Sequence, residues 1–484
     1  MTMASEPGAG GAPWKGLHPA SLLVNLVPMA WRTFRVGWPL LLAMMVGGGA
    51  RGLLDLSLFL AFLGLAAART VVHFLTLRYR VHEGRLHIRS GLVGRANRVI
   101  DPARIQNMEL VQNLFHKVAG LVELRIDTAG DSGIAGGAEG LLSALSLHEA
   151  ESLRRELGQH SAHVASSADA GEAIDAPGLV EVVAYGVSVG RVGSVALAIG
   201  FLLDAMGQLP GLGVAAPAQL GSRSVLGLVL VALAAGYAVS VGSAILRFYG
   251  HRWWQAGRSL HFESGLFTRR RMDIPLAKIQ LVLVTAPIMR RWMGYATLLV
   301  ETAAVGLPGA GSATEGTVPM VASEDVHGRV QKCLPAFDVS AEQALRPCAP
   351  RAVTRAAFFG ALRWAILATL AHFWLGEAWV WGLVAWGAVT GFLDARRQGW
   401  WLSEQFVVVR RGFLRRDTWI LPRAKIQSVR WAQSPSMRAS GLARVILWIP
   451  GGHLALPDLR AAEARQVYEA IVAAMSPTAR PGAA

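Results

Sequence analysis

Gly91-Leu92-Val93-Gly94-Arg95, followed by Ala103-Arg104-Ile105-Gln106 and then Gly120, is a pattern that the chain states three times. The second copy reads Gly265-Leu266-Phe267-Thr268-Arg269, Ala277-Lys278-Ile279-Gln280 and Gly294. The third reads Gly412-Phe413-Leu414-Arg415-Arg416, Ala424-Lys425-Ile426-Gln427 and Gly441. The first Gly and the Ile are 14 positions apart in every copy, and the Ile and the second Gly are 15 apart. An aromatic residue (Tyr79, Trp253, Trp400) stands 12 positions before the first Gly each time. Spacing that holds across three copies marks an internal repeat, which sets the architecture before any single element is assigned.

Working outward, Leu77-Arg78-Tyr79-Arg80-Val81 and Leu86-His87-Ile88-Arg89 alternate apolar and polar residues around Glu83-Gly84. Alternation of period two predicts half-buried strands, and the turn between them predicts a hairpin. The second copy repeats this around Gly257, and the third turns at Ser403-Glu404. A further apolar strand follows each second Gly: Val122-Leu124-Ile126, Leu298-Val300 and Val445-Leu447-Ile449. Each copy closes with a helical pattern. Ser146 and Glu149 have capping-box spacing ahead of Ala150, Leu153 and Leu157. Val326, Val330 and Leu334 recur every four residues, and Leu459, Ala462, Tyr468 and Ile471 share a helical window behind Pro457. One unit is therefore several antiparallel strands followed by one helix.

A small barrel or sandwich of this kind, carrying Gly-Leu, Arg, Lys/Arg-Ile-Gln and Gly in this order, resembles the bacterial pleckstrin-homology (PH) domain. The whole chain resembles membrane proteins of the YdbS/YdbT type, in which membrane helices alternate with PH-like units. The resemblance implies an accessory or stress-related membrane protein that works with a smaller PH-containing membrane protein. Copy one departs slightly: Pro102 precedes its Ile by three positions, whereas Pro275 and Pro422 precede theirs by four. A local difference without a change of fold is expected there.

At 484 residues the chain is long enough for several domains. A hydrophobic fraction of 53% with 16% charged residues points to a membrane protein. Residues 1–13 lack the basic and apolar regions of a cleavable signal peptide. The expected organisation is a tail and amphipathic approach (1–35), a helix pair (36–76), a first PH-like unit (77–160) and a linker (161–187). A second helix pair (188–247), a second unit (248–337) and a second linker (338–354) follow. A third helix pair (355–395), a third unit (396–476) and a tail (477–484) complete it. The fold class read from the sequence is thus a polytopic α-helical membrane protein with six spans and three all-β PH-like units. Lys15, Arg32, Arg35, Arg78, Arg80, Arg247, Arg252, Arg351, Arg355, Arg396 and Arg397 flank one side of the spans. The other side carries Arg51, Arg223 and Glu377, so the positive-inside rule places both termini and all three units in the cytoplasm of a bacterium, at its inner membrane. Two unclustered cysteines, Cys333 and Cys348, form neither a disulfide framework nor a metal site.

Gly186-Val187-Ser188-Val189-Gly190 matches the G-x-S-x-G elbow. The elbow requires a strand before the serine and a helix after it, whereas this stretch begins an apolar helix. Small residues four apart, as in Gly186/Gly190 and Gly387/Gly391, serve close helix packing. Asp204 is a carboxylate within an apolar run and supports a rival reading, a six-helix transporter or channel with regulatory PH-like units. The 13 histidines show no metal-ligand spacing, and no phosphate-binding loop is present. No catalytic residue, metal or cofactor is assigned.

The basic residues carry the site reading. Arg269-Arg270-Arg271 follow the second turn, Arg410-Arg411 and Arg415-Arg416 bracket the third, and Arg95 lies in the first. Beside an anionic leaflet each such charge adds about 1 kcal/mol of attraction. They are the candidate lipid-binding residues. Gly91, Ile105, Gln106, Gly120, Gly265, Ile279, Gln280, Gly294, Gly412, Ile426, Gln427 and Gly441 are assigned structural roles. Nucleic acid is excluded, because the basic groups are split among separate units. The expectation is a non-enzymatic membrane protein presenting PH-like units for protein assembly, anionic lipid binding, or both.

Overall fold

The computed structural model describes residues 13–18, 20–21, 64, 68, 71–72, 74–90, 96–128, 140–160, 174, 176–189, 222–302, 316–338, 344–450 and 452–475. Copy one comprises β1 (Lys15–Gly16), β2 (Arg78–His82), β3 (Arg85–Ser90), β4 (Ala96–Ile100), β5 (Ile105–Gln112), α1 (Leu114–Ala119), β6 (Leu121–Thr128), β7 (Gly140–Ser146) and α2 (Leu147–His160). Ahead of copy two come helices α3 (Leu179–Val189) and α4 (Ser222–Phe248). Copy two is β8 (Arg252–Ala256), β9 (Ser259–Ser264), β10 (Arg269–Pro275), β11 (Leu281–Pro287), α5 (Ile288–Trp292), β12 (Tyr295–Glu301), β13 (Gly316–Ala322) and α6 (Val326–Cys333). Next come β14 (Arg346–Pro347), α7 (Pro350–Leu375) and α8 (Gly382–Arg396). Copy three is β15 (Gly399–Leu402), β16 (Phe406–Arg411), β17 (Arg415–Pro422), β18 (Ser428–Ala432), α9 (Pro435–Ala439), β19 (Leu442–Ile449), β20 (Gly452–Ala455), β21 (Leu459–Arg460) and α10 (Ala461–Met475).

The expectation of a polytopic α-helical fold is overturned. The described residues build four β-sheets, and their strands carry most of the buried core. Two helices among them are long and apolar enough to cross a membrane, at Pro350–Phe373 and Ala378–Arg396. Apolar composition alone does not fix the fold class, because part of it lines strands buried on both faces. Leu281, Val282 and Leu283 in β11, and Val407, Val408 and Val409 in β16, are all fully buried. Such strands read as continuous apolar runs and raise hydropathy as a membrane span does. The expected spans within 36–76 and 188–208 fall almost wholly outside the described residues, as does Asp204.

The motif residues explain the local folds. Pro102–Arg104, Leu276–Lys278 and Arg423–Lys425 each form a single 3₁₀ turn that ends at the motif isoleucine. Ile105, Ile279 and Ile426 are buried there. Pro275 and Pro422 cap their turns from outside, whereas Pro102 is the first residue inside its own, with the Asp101 carboxylate accepting from the Ala103 amide. This is the local difference signalled by the shifted proline. Gln280 and Gln427 donate their backbone amides to Glu301 and Trp448, joining adjacent strands. Gly120, Gly294 and Gly441 lie in the left-handed region, just past a short helix that the sequence reading did not anticipate. Ser146 and Glu149 form the expected capping box: the Glu149 amide donates to Ser146 Oγ, and the Ser146 amide donates back to the Glu149 carboxylate.

The chain divides into two compact units, one holding residues to 128 with 138–273, the other 129–137 with 274 onward. In the first, the core of copy one lies between its two sheets, with Leu86, Leu124, Ile126, Leu142 and Leu157 of α2 fully buried. A six-stranded sheet of order β7-β6-β5-β10-β9-β8 joins the second half of copy one to the first half of copy two. In the second unit, the order β13-β12-β11-β17-β16-β15-β14 joins copy two to copy three in the same way. Both joints are antiparallel and share one register. Arg270, nine residues before Ile279, faces Val111, six after Ile105. Asp417, nine before Ile426, faces Thr285, six after Ile279.

A short segment upstream of each copy adds an edge to it at the repeated aromatic. Lys15 faces Tyr79, Arg346 faces Trp400, and the Ile174 amide donates to the Trp253 carbonyl.

Candidate functional site: the glycine turns and their arginines

In the second copy, Gly265 has φ +115°, and a Cβ there would fall 2.0 Å from the Thr268 carbonyl oxygen. Only glycine fits so tight a turn. The turn is fastened to the end of α4: the Gly265 and Leu266 amides donate to the Tyr249 and Leu246 carbonyls, each at 3.0 Å. Phe267 at the tip is 53% exposed. Lys117 of α1 donates to the Leu266 carbonyl at 2.9 Å.

The third copy repeats this plan in the other unit. Gly412 has φ +93° and a Cβ would meet the Arg415 carbonyl oxygen at 1.7 Å. The Phe413 amide donates to Asp394 of α8 at 3.2 Å, and Leu414 is exposed. Arg291 of α5 donates to the Phe413 carbonyl at 2.9 Å. Arg291 and Lys117 both stand 12 positions after their motif isoleucine, so one basic side chain serves one turn carbonyl at both joints.

Arg269, Arg270 and Arg271 run along β10, which pairs with β5. Arg269 and Arg252 both bind Glu263, the latter at 2.6 Å. Arg270 and Arg125 approach Glu109 at 3.7 and 3.8 Å. Arg271 lies over the Trp254 ring, 6.0 Å from its centroid. Burial raises the pKa of Glu263, but the hydrogen bond from Arg252 and the charges of Arg269, Arg252 and Arg271 outweigh it and hold the carboxyl below the ordinary range. Arg269 and Arg270 remain about half exposed despite these contacts.

The third-copy arginines are built in more firmly. Arg411 donates to the carbonyls of Ala455 and Leu456, and burial, with the nearby Arg444, pushes its pKa down to about 10. Arg415 donates to Asp417 and Thr285 at 2.9 and 3.1 Å. Arg410 reaches Thr418 at 3.4 Å, and Arg416 is half-buried. Gly91 and Arg95 lie outside the described residues, and nothing is assigned to the side chain of Gln106. Thus Arg269 and Arg271 gather beside Glu263 and Trp254, Arg270 at the alternate strand position meets Glu109, and Arg411 and Arg415 act as struts.

Ser188 sits inside helix α3 and donates to the Tyr185 carbonyl at 2.7 Å, without the strand that an elbow needs. The glycines serve helix contact instead. A Cβ on Gly186 would strike Val241 of α4 at 2.6 Å, and one on Gly391 would strike the Ala356 carbonyl of α7 at 2.5 Å.

Two buried polar clusters escaped sequence reasoning. Asp273 lies 2.5 Å from His261 Nδ1 and 2.8 Å from Arg154 of α2, with all three side chains buried. Asp458 holds Arg355 at the start of α7 together with Arg444 of β19. Opposite charges far apart in sequence leave no local signal. The one available clue was that a charged residue interrupts an apolar run, as Asp273 does between Met272 and Ile274.

Three segments, residues 30–161, 193–334 and 359–475, match the bacterial PH domain. The chain belongs to the bacterial PH domain family. Each of its three PH domains contains one Gly/Ile-Gln/Gly motif, so the repeat read from the sequence is the family repeat. The chain is similar to the UPF0699 transmembrane protein YdbT of Bacillus subtilis (strain 168), with 24% identity over 331 residues. That match covers 63% of this chain and 64% of YdbT, a little under two thirds of the relative's length. No solved structure matches the chain.

Proposed function

We propose that this protein is a non-enzymatic membrane-anchored scaffold that holds its PH domains against the cytoplasmic face of a bacterial inner membrane. Its second glycine turn meets anionic lipid headgroups there. One observation carries the reading: the Gly265 turn is fastened to the foot of an apolar helix, presents an exposed Phe267, and leads into Arg269-Arg270-Arg271. An aromatic tip beside cations is the pairing that suits a headgroup layer, apolar below and anionic above. Support for an anchor comes from α7 and α8, whose Phe358, Leu362, Ile366, Leu370, Phe373 and Val389 face outward. Arg351, Arg355, Arg396 and Arg397 sit at the PH-domain ends of these helices, and Glu377 lies at the connection between them. This charge bias favours a cytoplasmic location. The name of the relative, a transmembrane protein, agrees with the anchor.

The test places a nitroxide on Phe267→Cys in the full chain, reconstituted into vesicles with or without anionic lipid. Arg258→Cys, on the exposed β8–β9 hairpin, is the control. The expected result is a label at position 267 that is quenched more by membrane-dissolved oxygen than by an aqueous relaxant, most strongly with anionic lipid. Arg269, Arg270 and Arg271 changed together to Glu should abolish the lipid dependence. A label at 267 as aqueous as the one at 258 would sink the proposal. A protein partner is the second reading, favoured by the sheet edges described next.

A further inference from the structure

Both internal joints place a β5-type strand of one PH domain beside a β4-type strand of the next, in a single register. Each joint also carries a basic side chain on a turn carbonyl, from Lys117 or Arg291. A chain of three domains linked in this way leaves one strand of each type over. In copy one the β4-type edge ends the sheet β1-β2-β3-β4, and in copy three the β5-type edge ends the sheet β18-β19-β20. Among the described residues, no strand pairs with the outer side of either.

Both edges expose apolar side chains that the internal joints bury. Val99 on β4 is 52% exposed and Trp431 on β18 is 40% exposed. Their counterparts at the internal joints are buried: Asp273 and Ile420, like Val99 six positions before the motif isoleucine, and Leu110 and Val284, like Trp431 five positions after it. Arg438 occupies the position of Lys117 and Arg291, and it is exposed. Unpaired strand edges with apolar residues are templates for another strand.

We infer that a second copy of this chain pairs head to tail with the first, β18 of one chain against β4 of the next. The shared register sets the contacts. Ala96 would face Ala432, Asn97 would face Trp431, Val99 would face Val429, and Ile100 would face Ser428. Arg98 would face Arg430, and this is the weak point, because like charges directly opposite each other weaken a strand pair by up to about fivefold in its equilibrium constant. The assembly is therefore salt-sensitive and easily lost on dilution. A head-to-tail contact is heterologous, so it closes into a ring or extends as a filament. This inference rests on the second, protein-partner reading of the proposed function and is independent of lipid binding.

The test uses the full chain in detergent and in native membranes. Cys333 and Cys348 are both buried, which leaves surface thiol chemistry to introduced residues. One preparation carries Val99→Cys with one tag, and another carries Val429→Cys with a second tag. After mixing and treatment with a short thiol cross-linker, a product with both tags at twice the chain mass is expected, with little product from either variant alone. Adding Arg430→Glu to the Val429→Cys chain should raise the yield at least severalfold, since it replaces a like pair with an opposite one. Equal dimer yields from each variant alone, or no two-tag product in the mixture, would overturn the inference. So would a yield indifferent to Arg430→Glu, or cross-links in native membranes only to a polypeptide of another mass. Val99 is exposed and Val429 half-buried on its strand edge, and unchanged circular dichroism separates lost pairing from lost folding.

Discussion

Replacing Asp273 with Ala should loosen the first joint far more than its surface would suggest. The carboxylate is buried, 2.5 Å from His261 and 2.8 Å from Arg154, and those two partners are buried as well. Burial raises the pKa of Asp273, but the His261 hydrogen bond and the charges of Arg154, His261 and Arg271 outweigh it and hold the pKa below its ordinary 3.8. Removing the anion leaves the Arg154 guanidinium in the interior without its counter-charge. Breaking one partner out of a buried pair costs about 3–5 kcal/mol. That is roughly a hundred- to several-thousandfold rise in the local opening constant, at about 1.4 kcal/mol per tenfold. Because a chain of several cooperative units has no single unfolding energy, the assay is amide hydrogen exchange of the full chain in detergent, read peptide by peptide. Protection should fall across 147–160 and 259–273, and it should hold in β16 and β19 of the other unit. The sign with pH follows from the depressed pKa: the stabilisation is full above the unfolded value and is lost as acid brings the pH down through the folded one. The triple change Arg154→Met, His261→Leu and Asp273→Leu should recover much of the protection, since an apolar replacement of a buried ionic cluster is often neutral. Loss of less than tenfold on Asp273→Ala, or a triple variant worse than the single one, would refute the argument.

Three further outcomes follow from the same structure. Asp127 has its pKa pushed up to about 6 by burial and by neighbouring Glu109, so a stability cost that is absent below about pH 4 builds as the pH rises toward 6 and is full above it. Asp127→Asn should therefore stabilise by about 1–3 kcal/mol at pH 8 and leave the melting midpoint at pH 4 nearly unchanged. Gly412→Ala places a methyl against the Arg415 carbonyl and should cost more than about 2 kcal/mol, whereas Gly441→Ala, with φ +66° and only an ordinary contact at 3.6 Å, should cost about 1 kcal/mol in a thermal scan. Asp458→Ala strands Arg355 and Arg444 together and should cost about 2–3 kcal/mol, with protease cleavage appearing first between α7 and β19.

The sequence by itself determined the repeat, its strands and the turns. These are local properties: the period-two alternation of Tyr79 to Val81, the positive-φ demand at Gly265 and Gly412, and the capping box at Ser146 are each decided within a few residues of chain. Overall apolar composition does not separate fold classes, because a strand buried on both faces, such as Val407 to Val409, is as apolar as a membrane span. The tertiary structure alone decided which strands became neighbours. Alternation says which face of a strand is buried but carries no information about what lies beside it in the sheet. Hence the pairing of Arg270 with Val111 and of Asp417 with Thr285 had no trace in either local sequence. The same holds for the arginines. The sequence shows a run of three cations on β10, and only the fold brings Glu109 and Glu263 against them and leaves β4 and β18 at the ends of their sheets.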